Sequence, residues 1–134
     1  MQPKRPHDAA YLSDLAGLYY QQGNYAKAAR LYTRALAIWE QVSGPEHPDV
    51  AACLSALAVI YQVKGNRAEA ERGYTRALTI WEKALGPDHP DVAACLGALA
   101  ELYHEQGRYA EAEPLQTRAL AIQGKRKARG MGAS

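Results

Sequence analysis

The chain has 134 residues, of which 48% are hydrophobic and 22% are charged, and its formal net charge is +2. This length and composition fit one soluble folded domain, and no apolar run approaches the roughly 18 residues of a membrane span. Without Lys125, Arg126, Lys127 and Arg129 the net charge of +2 becomes −2, so the body of the chain lacks an electrostatic footprint for nucleic acid.

The N-terminal segment, Met1 to Pro6, has no apolar stretch behind its positive charges, so the sequence predicts no secretory signal. We expect residues 1–5 to be disordered and the protein to be cytoplasmic. Cys53 and Cys95 occupy equivalent positions of an internal repeat and need not face each other. We therefore expect both to be free, buried thiols.

The internal repeat organises the sequence. The segment 44–58 recurs at 86–100, and thirteen of its fifteen positions are identical. The spacing between these two segments also separates matching residues in three copies of the repeat. They are Leu15, Leu57 and Leu99; Tyr19, Tyr61 and Tyr103; and Gly23, Gly65 and Gly107. We call this spacing the repeat period. A fixed period of this size is typical of stacked structural repeats.

The period divides the chain into three units, 6–43, 48–85 and 90–124, followed by a basic tail, 125–134, that we expect to be disordered. The tail could bind nucleic acid or an acidic membrane, serve as an import signal, or simply solubilise the end of the chain. The last of these fits a short basic run best, so neither nucleic acid nor a membrane is favoured as a partner.

Each unit has the pattern of two helices. In the second unit, apolar residues recur at steps of three and four, which places them on one helix face: Val50, Leu54, Leu57, Ala58 and Tyr61. Pro48 suits a first helical turn, Gly65-Asn66 breaks the helix, and Gly86-Pro87 ends a second helix that begins near Arg67. We therefore predict an all-α stack of six helices, in which neighbouring hairpins bury the core.

A family pattern becomes visible within each unit. The first unit reads leucine, small residue, tyrosine, glycine, tyrosine, alanine, aromatic residue and alanine at Leu15, Ala16, Tyr19, Gly23, Tyr25, Ala28, Tyr32 and Ala35. This pattern resembles the tetratricopeptide repeat. The long repeat period and the linker Leu-Gly-Pro-Asp-His-Pro-Asp-Val resemble its kinesin light chain type. The resemblance covers about residues 6 to 123. It implies a right-handed superhelical α-solenoid of three hairpins with a concave face that binds protein.

Two departures from the family pattern affect what the resemblance implies. Kinesin light chain repeats carry paired asparagines that hold the backbone of a cargo peptide, but the matching pairs here are Ser13-Asp14, Ser55-Ala56 and Gly97-Ala98. The lysine and asparagine set that grips a peptide carboxylate in chaperone adaptors is also missing. Neither mode of peptide capture is therefore carried over.

The last helix differs from its counterparts in the first two units. Gln116 stands where those units have tyrosine, and Gln123 stands where they have Trp39 and Trp81. The aromatic residues should pack against a following hairpin, and a glutamine in their place should face water. We interpret the two glutamines as a polar cap that ends the stack.

The outward stripe of the first helices should line the concave face. It comprises Ala10, Ala52 and Ala94 together with the candidate partner-binding residues Ser13, Gly17, Tyr20, Ser55, Val59, Gln62, Gly97, Glu101 and His104. These small and mildly apolar residues predict a shallow groove for an extended peptide or a partner helix. Alternatively, they only allow neighbouring first helices to pack tightly, and both interpretations can hold together.

The sequence predicts no metal site, no cofactor and no enzymatic activity. None of the four histidines pairs at the i, i+4 spacing of a helical metal site, and His47 and His89 fit helix starts. No nucleophile or phosphate-loop motif is present. The acidic residues of the second helices, Glu69, Glu71, Glu111 and Glu113, are interpreted as a solvated face with local ion pairs.

We therefore expect a non-catalytic module that binds a protein or peptide in its concave groove. A second hypothesis is a structural role, in which copies associate through their terminal hairpins into a homo-oligomer. Its basis is the first helix, where Tyr11, Leu12, Leu15, Leu18 and Tyr19 should expose apolar surface. A third hypothesis is an engineered repeat scaffold, because the units are nearly identical; natural duplication gives the same picture.

Overall fold

A computed structural model describes residues 5–132, and within them the fold consists of six helices and no strand. The helices are α1 (Pro6–Gln21), α2 (Tyr25–Ser43), α3 (Pro48–Val63), α4 (Arg67–Leu85), α5 (Pro90–Glu105) and α6 (Tyr109–Gly132). Consecutive helices form three hairpins, and α2 and α4 also pack against the first helix of the next hairpin. The prediction of an all-α solenoid of helix hairpins is confirmed.

The linkers between hairpins are built from local signals. Gly44 and Gly86 adopt φ values of 92° and 94°, which end α2 and α4 in a region of backbone space that favours glycine. His47 then caps the start of α3: its Nδ1 accepts the backbone N–H of Asp49 at 3.1 Å. The same contact recurs 3.1 Å long at the start of α5. The linker histidines are therefore helix caps in both repeats.

The turn inside each hairpin also depends on glycine. Gly65 has a φ of 83°, whereas Asn66 has a φ of −91° and stands at the N-cap position of α4. The predicted helix break at Gly65-Asn66 is confirmed, and glycine alone supplies the left-handed backbone angle. Asparagine suits this position because its side chain can accept a helix N–H, as Asn24 does for Lys27 at 3.4 Å.

Small residues allow the two helices of a hairpin to approach closely. Four alanines of the first two hairpins, Ala16, Ala28, Ala58 and Ala70, are all fully buried. Gly73 in α4 is packed so closely that a Cβ atom there would lie 3.0 Å from the Ala58 Cβ. The main core spans the second and third units and includes Tyr74 and Trp81, which are 2% and 8% exposed.

Arginine–glutamate pairs join successive second helices. Arg76 of α4 donates to Glu40 of α2 at 2.9 Å, and Arg118 of α6 donates to Glu82 of α4 at 2.8 Å. The two pairs are repeat equivalents, displaced by one period. The repeat therefore reproduces an electrostatic contact between units as well as an apolar core.

Ion pairs between a lysine and a carboxylate link the second helices to the preceding linkers in the same way. Lys83 lies 3.2 Å from Glu46, and Lys125 lies 3.6 Å from Asp88. Lys125 belongs to the basic segment that we expected to be disordered. Instead, α6 continues through Gly132, because lysine, arginine and alanine favour helix and positive charge suits the C-terminal end of a helix dipole. The expected disorder of residues 1–4 and 133–134 lies outside the described residues.

Candidate binding groove

The first helices lie side by side along one surface. The Oγ of Ser13 in α1 lies 3.8 Å from the Sγ of Cys53 in α3, and Gln62 in α3 donates to Glu105 in α5 at 3.0 Å. We use the term first-helix stripe for the nine predicted binding residues that these helices carry: Ser13, Gly17, Tyr20, Ser55, Val59, Gln62, Gly97, Glu101 and His104.

The first-helix stripe is accessible along its length, and its polarity changes from end to end. Its members on α1 and α3 are half-buried, as is Gly97 on α5, whereas Glu101 and His104 are exposed. The small residues Gly17 and Val59 occupy the same repeat position as Glu101. The surface is therefore mildly apolar over the first two units and acquires an acidic group in the third.

Gln62 is engaged in an internal hydrogen-bond network. The hydroxyl of Tyr74 donates to its Oε1 at 3.0 Å, while its Nε2 donates to Glu105 at 3.0 Å. Burial is the main cause that raises the pKa of Tyr74 to about 12. The network ties α3, α4 and α5 together beneath the stripe, so the amide of Gln62 is used in positioning helices.

A pocket of about 360 Å³ opens at the third unit. Three members of the first-helix stripe line it with two further residues: Gly97, Glu101, His104, Ala100 and Gln116. A Cβ atom placed on Gly97 would meet no atom within 4 Å, so the helix surface there is open. In the second unit, the position of Gln116 is held by the larger, buried Tyr74. The sequence did not predict this pocket.

Aromatic residues fix the outer ends of the stripe. Tyr20 packs edge-to-face against Tyr25 with ring centroids 5.4 Å apart, and His104 packs in the same way against Tyr109 at 4.8 Å. Each pair joins the end of a first helix to the start of the second helix of the same hairpin. Such contacts restrict the rotamers of both stripe residues and so favour one surface shape.

The two cysteines lie beneath the stripe as free thiols, 3% and 2% exposed. The Sγ of Cys95 donates to the backbone oxygen of Tyr74 at 3.2 Å, and burial raises the pKa of Cys95 to about 12. The pKa of Cys53 is also raised, mainly by burial. Because the thiolate is the reactive and metal-binding form, these environments favour a packing role for both residues.

A cluster centred on Arg108 differs from the sequence interpretation. Arg108 pairs locally with Glu111 at 2.7 Å, but it also reaches Glu71 of the previous unit at 2.9 Å. The hydroxyl of Tyr103 donates to Glu71 at 3.1 Å. Hydrogen bonding to Arg108 lowers the pKa of Glu111. Glu71 is therefore a contact between units, and the expectation of purely local ion pairs is wrong for this residue.

A larger depression lies elsewhere, between α4 and the linker that precedes α3. It is lined by the linker from Ser43 to Pro48 and by α4 residues from Glu71 to Ile80, and its volume is about 1170 Å³. Its walls include Arg76 and the linker that the ion pairs hold in place. We assign this broad, open depression to the geometry of stacked second helices, because the polar groups along it, Arg72 and Arg76, already have protein partners.

Over residues 5–132, no cluster of three or more histidine, cysteine, aspartate or glutamate side chains has a metal-binding arrangement. Within the same part of the chain, every helix is too short or too polar to cross a lipid bilayer.

Comparison with known proteins identifies relatives of this architecture. A family model described as tetratricopeptide repeat matches residues 7–72 and 55–125. The crystal structure of BtubC (BKLC) from P. vanneervenii superposes with a TM-score of 0.86 at 29% identity, covering 93% of this chain and 50% of that chain. A putative kinesin light chain of Podosopora anserina with nearly identical repeats gives 0.78 at 31% identity, covering 91% and 58%.

More distant structures share the fold alone. The N-terminal domain of stress-induced protein-1 from C. elegans has a TM-score of 0.71 at 17% identity, covering 87% of this chain and 85% of that domain. The chain spans about half the length of BtubC and somewhat more than half of the Podosopora protein. No curated protein sequence matches the chain.

Proposed function

The chain belongs to the tetratricopeptide repeat family, and from that premise we propose that it binds an extended segment of a partner protein along the first-helix stripe. The protein is an interaction module of repeats, a role for which this fold is suited. The observation that carries the proposal is the open helix surface at Gly97, beside a pocket of about 360 Å³ in line with the rest of the stripe. We propose no catalytic role.

Binding would rely on a preorganised surface. The hairpins are fixed by the core, by the Gln62 network and by the ion pairs between units. A rigid receptor loses little conformational entropy when a peptide binds, so more of the contact energy contributes to affinity. The small side chains of Gly17, Ser55 and Gly97 would allow the peptide backbone to approach the helices closely.

The polarity of the stripe suggests the kind of peptide. Apolar side chains of the peptide would lie over Gly17 and Val59, which are small and half-buried. A basic or hydroxyl-bearing side chain would enter the pocket, because the exposed carboxylate of Glu101 forms part of its wall. This arrangement differs from an asparagine clamp, since the matching positions hold Ser55-Ala56 and Gly97-Ala98.

The proposal is tested by selecting peptides from a random phage-displayed library against the whole chain and measuring their affinity by fluorescence anisotropy. Val59→Glu should weaken binding at least about tenfold, which corresponds to about 1.4 kcal/mol. Thr117→Glu on the exposed side of α6 is the matched control and should leave affinity unchanged. If no selected peptide is sensitive to Val59→Glu while circular dichroism shows a folded variant, the stripe is not the binding surface.

A further inference from the structure

The outer side of α1 carries apolar residues that are buried at the equivalent positions of the other units. Leu18 is 55% exposed, whereas its repeat equivalents Ile60 and Leu102 are fully buried. Tyr11 is 65% exposed, whereas its equivalent Cys53 is 3% exposed. The expected exposure of apolar surface on the first helix is confirmed for these two residues, while Leu12, Leu15 and Tyr19 are half-buried.

The structure shows what covers the equivalent surface in the next unit. Helix α2 packs against α3, and its Leu36 and Trp39 contact the core there. At the edge of the same contact, Glu40 of α2 pairs with Arg76. Helix α4 covers α5 in the same manner, with Glu82 pairing with Arg118. In both cases, the first helix of a unit is therefore covered by a helix of the preceding unit that presents an apolar face followed by a glutamate.

The edge of the first unit is positively charged and unneutralised. The groove between α2 and the second hairpin is bordered by Glu69, Arg72 and Arg76 of α4. The residues at these repeat positions in the first unit are Lys27, Arg30 and Arg34, so a lysine replaces the glutamate. All three are exposed, and none has an ion-pair partner within residues 5–132. Lys27 instead lies 4.6 Å from the centre of the Tyr19 ring.

We propose that this N-terminal face, formed by Tyr11, Leu12, Leu15 and Leu18 with Lys27, Arg30 and Arg34, docks an acidic amphipathic helix of another protein. The docked helix presents an aromatic residue, leucine and tryptophan at positions i, i+4 and i+7, and a glutamate at i+8. This spacing is that of the covering helices themselves, Tyr32-Leu36-Trp39-Glu40 and Tyr74-Leu78-Trp81-Glu82. The carboxylate pairs with Arg34, as Glu40 pairs with Arg76.

A second copy of this chain fits the face poorly. Its last helix carries Gln116 and Gln123 in place of the aromatic residues, and Gly124 in place of the glutamate. Head-to-tail stacking would therefore keep only the leucine, Leu120, and would lack the aromatic and the charged contacts. Pairing of two N-terminal faces would supply neither the tryptophan nor the glutamate of the covering helices, because α1 carries neither residue. The charge pattern selects an acidic helix over a second copy.

The experiment uses the whole chain and a fluorescein-labelled synthetic peptide with the sequence of residues 67–85, in which Arg72, Arg76 and Lys83 are replaced by glutamine. The peptide is then acidic, and it keeps the required spacing and Glu82. Fluorescence anisotropy should show saturable binding. Arg34→Glu should weaken it about three- to tenfold, as expected for reversal of one partly exposed ion pair. A peptide with Glu82→Arg should bind the wild-type chain equally weakly, and should recover affinity for the Arg34→Glu chain. A change that merely disturbed folding would give no such recovery.

Controls separate this face from the rest of the molecule. Leu18→Lys should abolish binding, whereas Leu120→Lys, at an exposed leucine on α6, should not affect it. Val59→Glu should also leave it unchanged, which distinguishes this face from the first-helix stripe. The proposal is overturned if the peptide does not bind saturably, or if charge exchange fails to restore affinity. It is equally overturned if the free chain forms a dimer that Leu18→Lys dissociates, because the occupant would then be a second copy.

Discussion

A guanidinium nitrogen of Arg118 lies 2.8 Å from a carboxylate oxygen of Glu82, and the equivalent contact between Arg76 and Glu40, one repeat period earlier, is 2.9 Å long. Each pair joins two second helices across the boundary between hairpins. Because both pairs are partly exposed, each contributes little to stability. They mark the same contact at both boundaries between hairpins, so the two boundaries are packed alike.

The coupling between Arg118 and Glu82 can be measured directly. In a double-mutant cycle with Arg118→Ala and Glu82→Ala, urea unfolding should give a coupling free energy of about 0.3 to 1 kcal/mol at low salt. The coupling should decrease at about 1 M salt, because an exposed pair is screened. A coupling indistinguishable from zero at low salt would contradict the assignment of this pair as an interunit contact.

Two glycines in helix interiors should respond oppositely to alanine. Gly97→Ala should stabilise the protein by about 0.5 to 1 kcal/mol, because the added methyl group meets open space and alanine favours helix. Gly73→Ala should destabilise it by about 1 kcal/mol, because the new Cβ atom would lie 3.1 Å from the Leu54 oxygen as well as against Ala58. Thermal and urea unfolding check both. Stabilisation by both substitutions would show that the α3–α4 contact can relax.

The polar end of α6 should limit self-association. Gln116 and Gln123 are exposed, whereas the tryptophan equivalent to Gln123 in the second unit, Trp81, is 8% exposed. The double variant Gln116→Tyr with Gln123→Trp should therefore associate with increasing concentration, and light scattering should report the rise in mass. Gln116→Glu with Gln123→Glu is the control and should behave like the wild type. A double aromatic variant that stays monomeric at high concentration would count against a capping role.

The buried thiols should be protected in the native state. Ellman's reagent at about pH 8 should label Cys53 and Cys95 slowly in buffer and rapidly in urea. Because burial raises the folded pKa of Cys95 to about 12, its contribution to stability is complete below the unfolded value of about 8.5 and is lost as the pH rises towards 12. Cys95→Ala should reduce the loss of stability as the pH is raised from about 8 to about 10. Rapid labelling of both thiols in buffer would show that the core opens readily.

The helix hairpins could be predicted because their signals are local. Glycine and proline mark the linkers, and the apolar positions recur at helical spacing within each unit. The contacts between units could not be predicted, because the angle between hairpins decides which arginine pairs with which carboxylate. Even so, Glu40 and Glu82 recur with Arg76 and Arg118 at the repeat period. That double recurrence was the available signal for a repeated pairing.

The sequence could predict which helix positions form the candidate site, but it could not predict the shape of the surface there. The first-helix stripe follows from counting outward positions on three equivalent helices. The pocket at Gly97 depends on a glutamine being shorter than the tyrosine that fills the same place in the second unit, which only the packed structure reveals. The internal hydrogen bonds of Gln62 are likewise tertiary, because Tyr74 and Glu105 come from other helices.

The most direct measurement of the central claim is photocrosslinking from single positions of the chain to a selected peptide ligand. With benzoylphenylalanine placed at Val59 or Gly97 on the first-helix stripe, the peptide should be captured efficiently, and unlabelled peptide should compete. With the same group at Thr117, on the exposed side of α6, capture should stay at background. Capture at Thr117 with none at Val59 or Gly97 would contradict binding along the first-helix stripe.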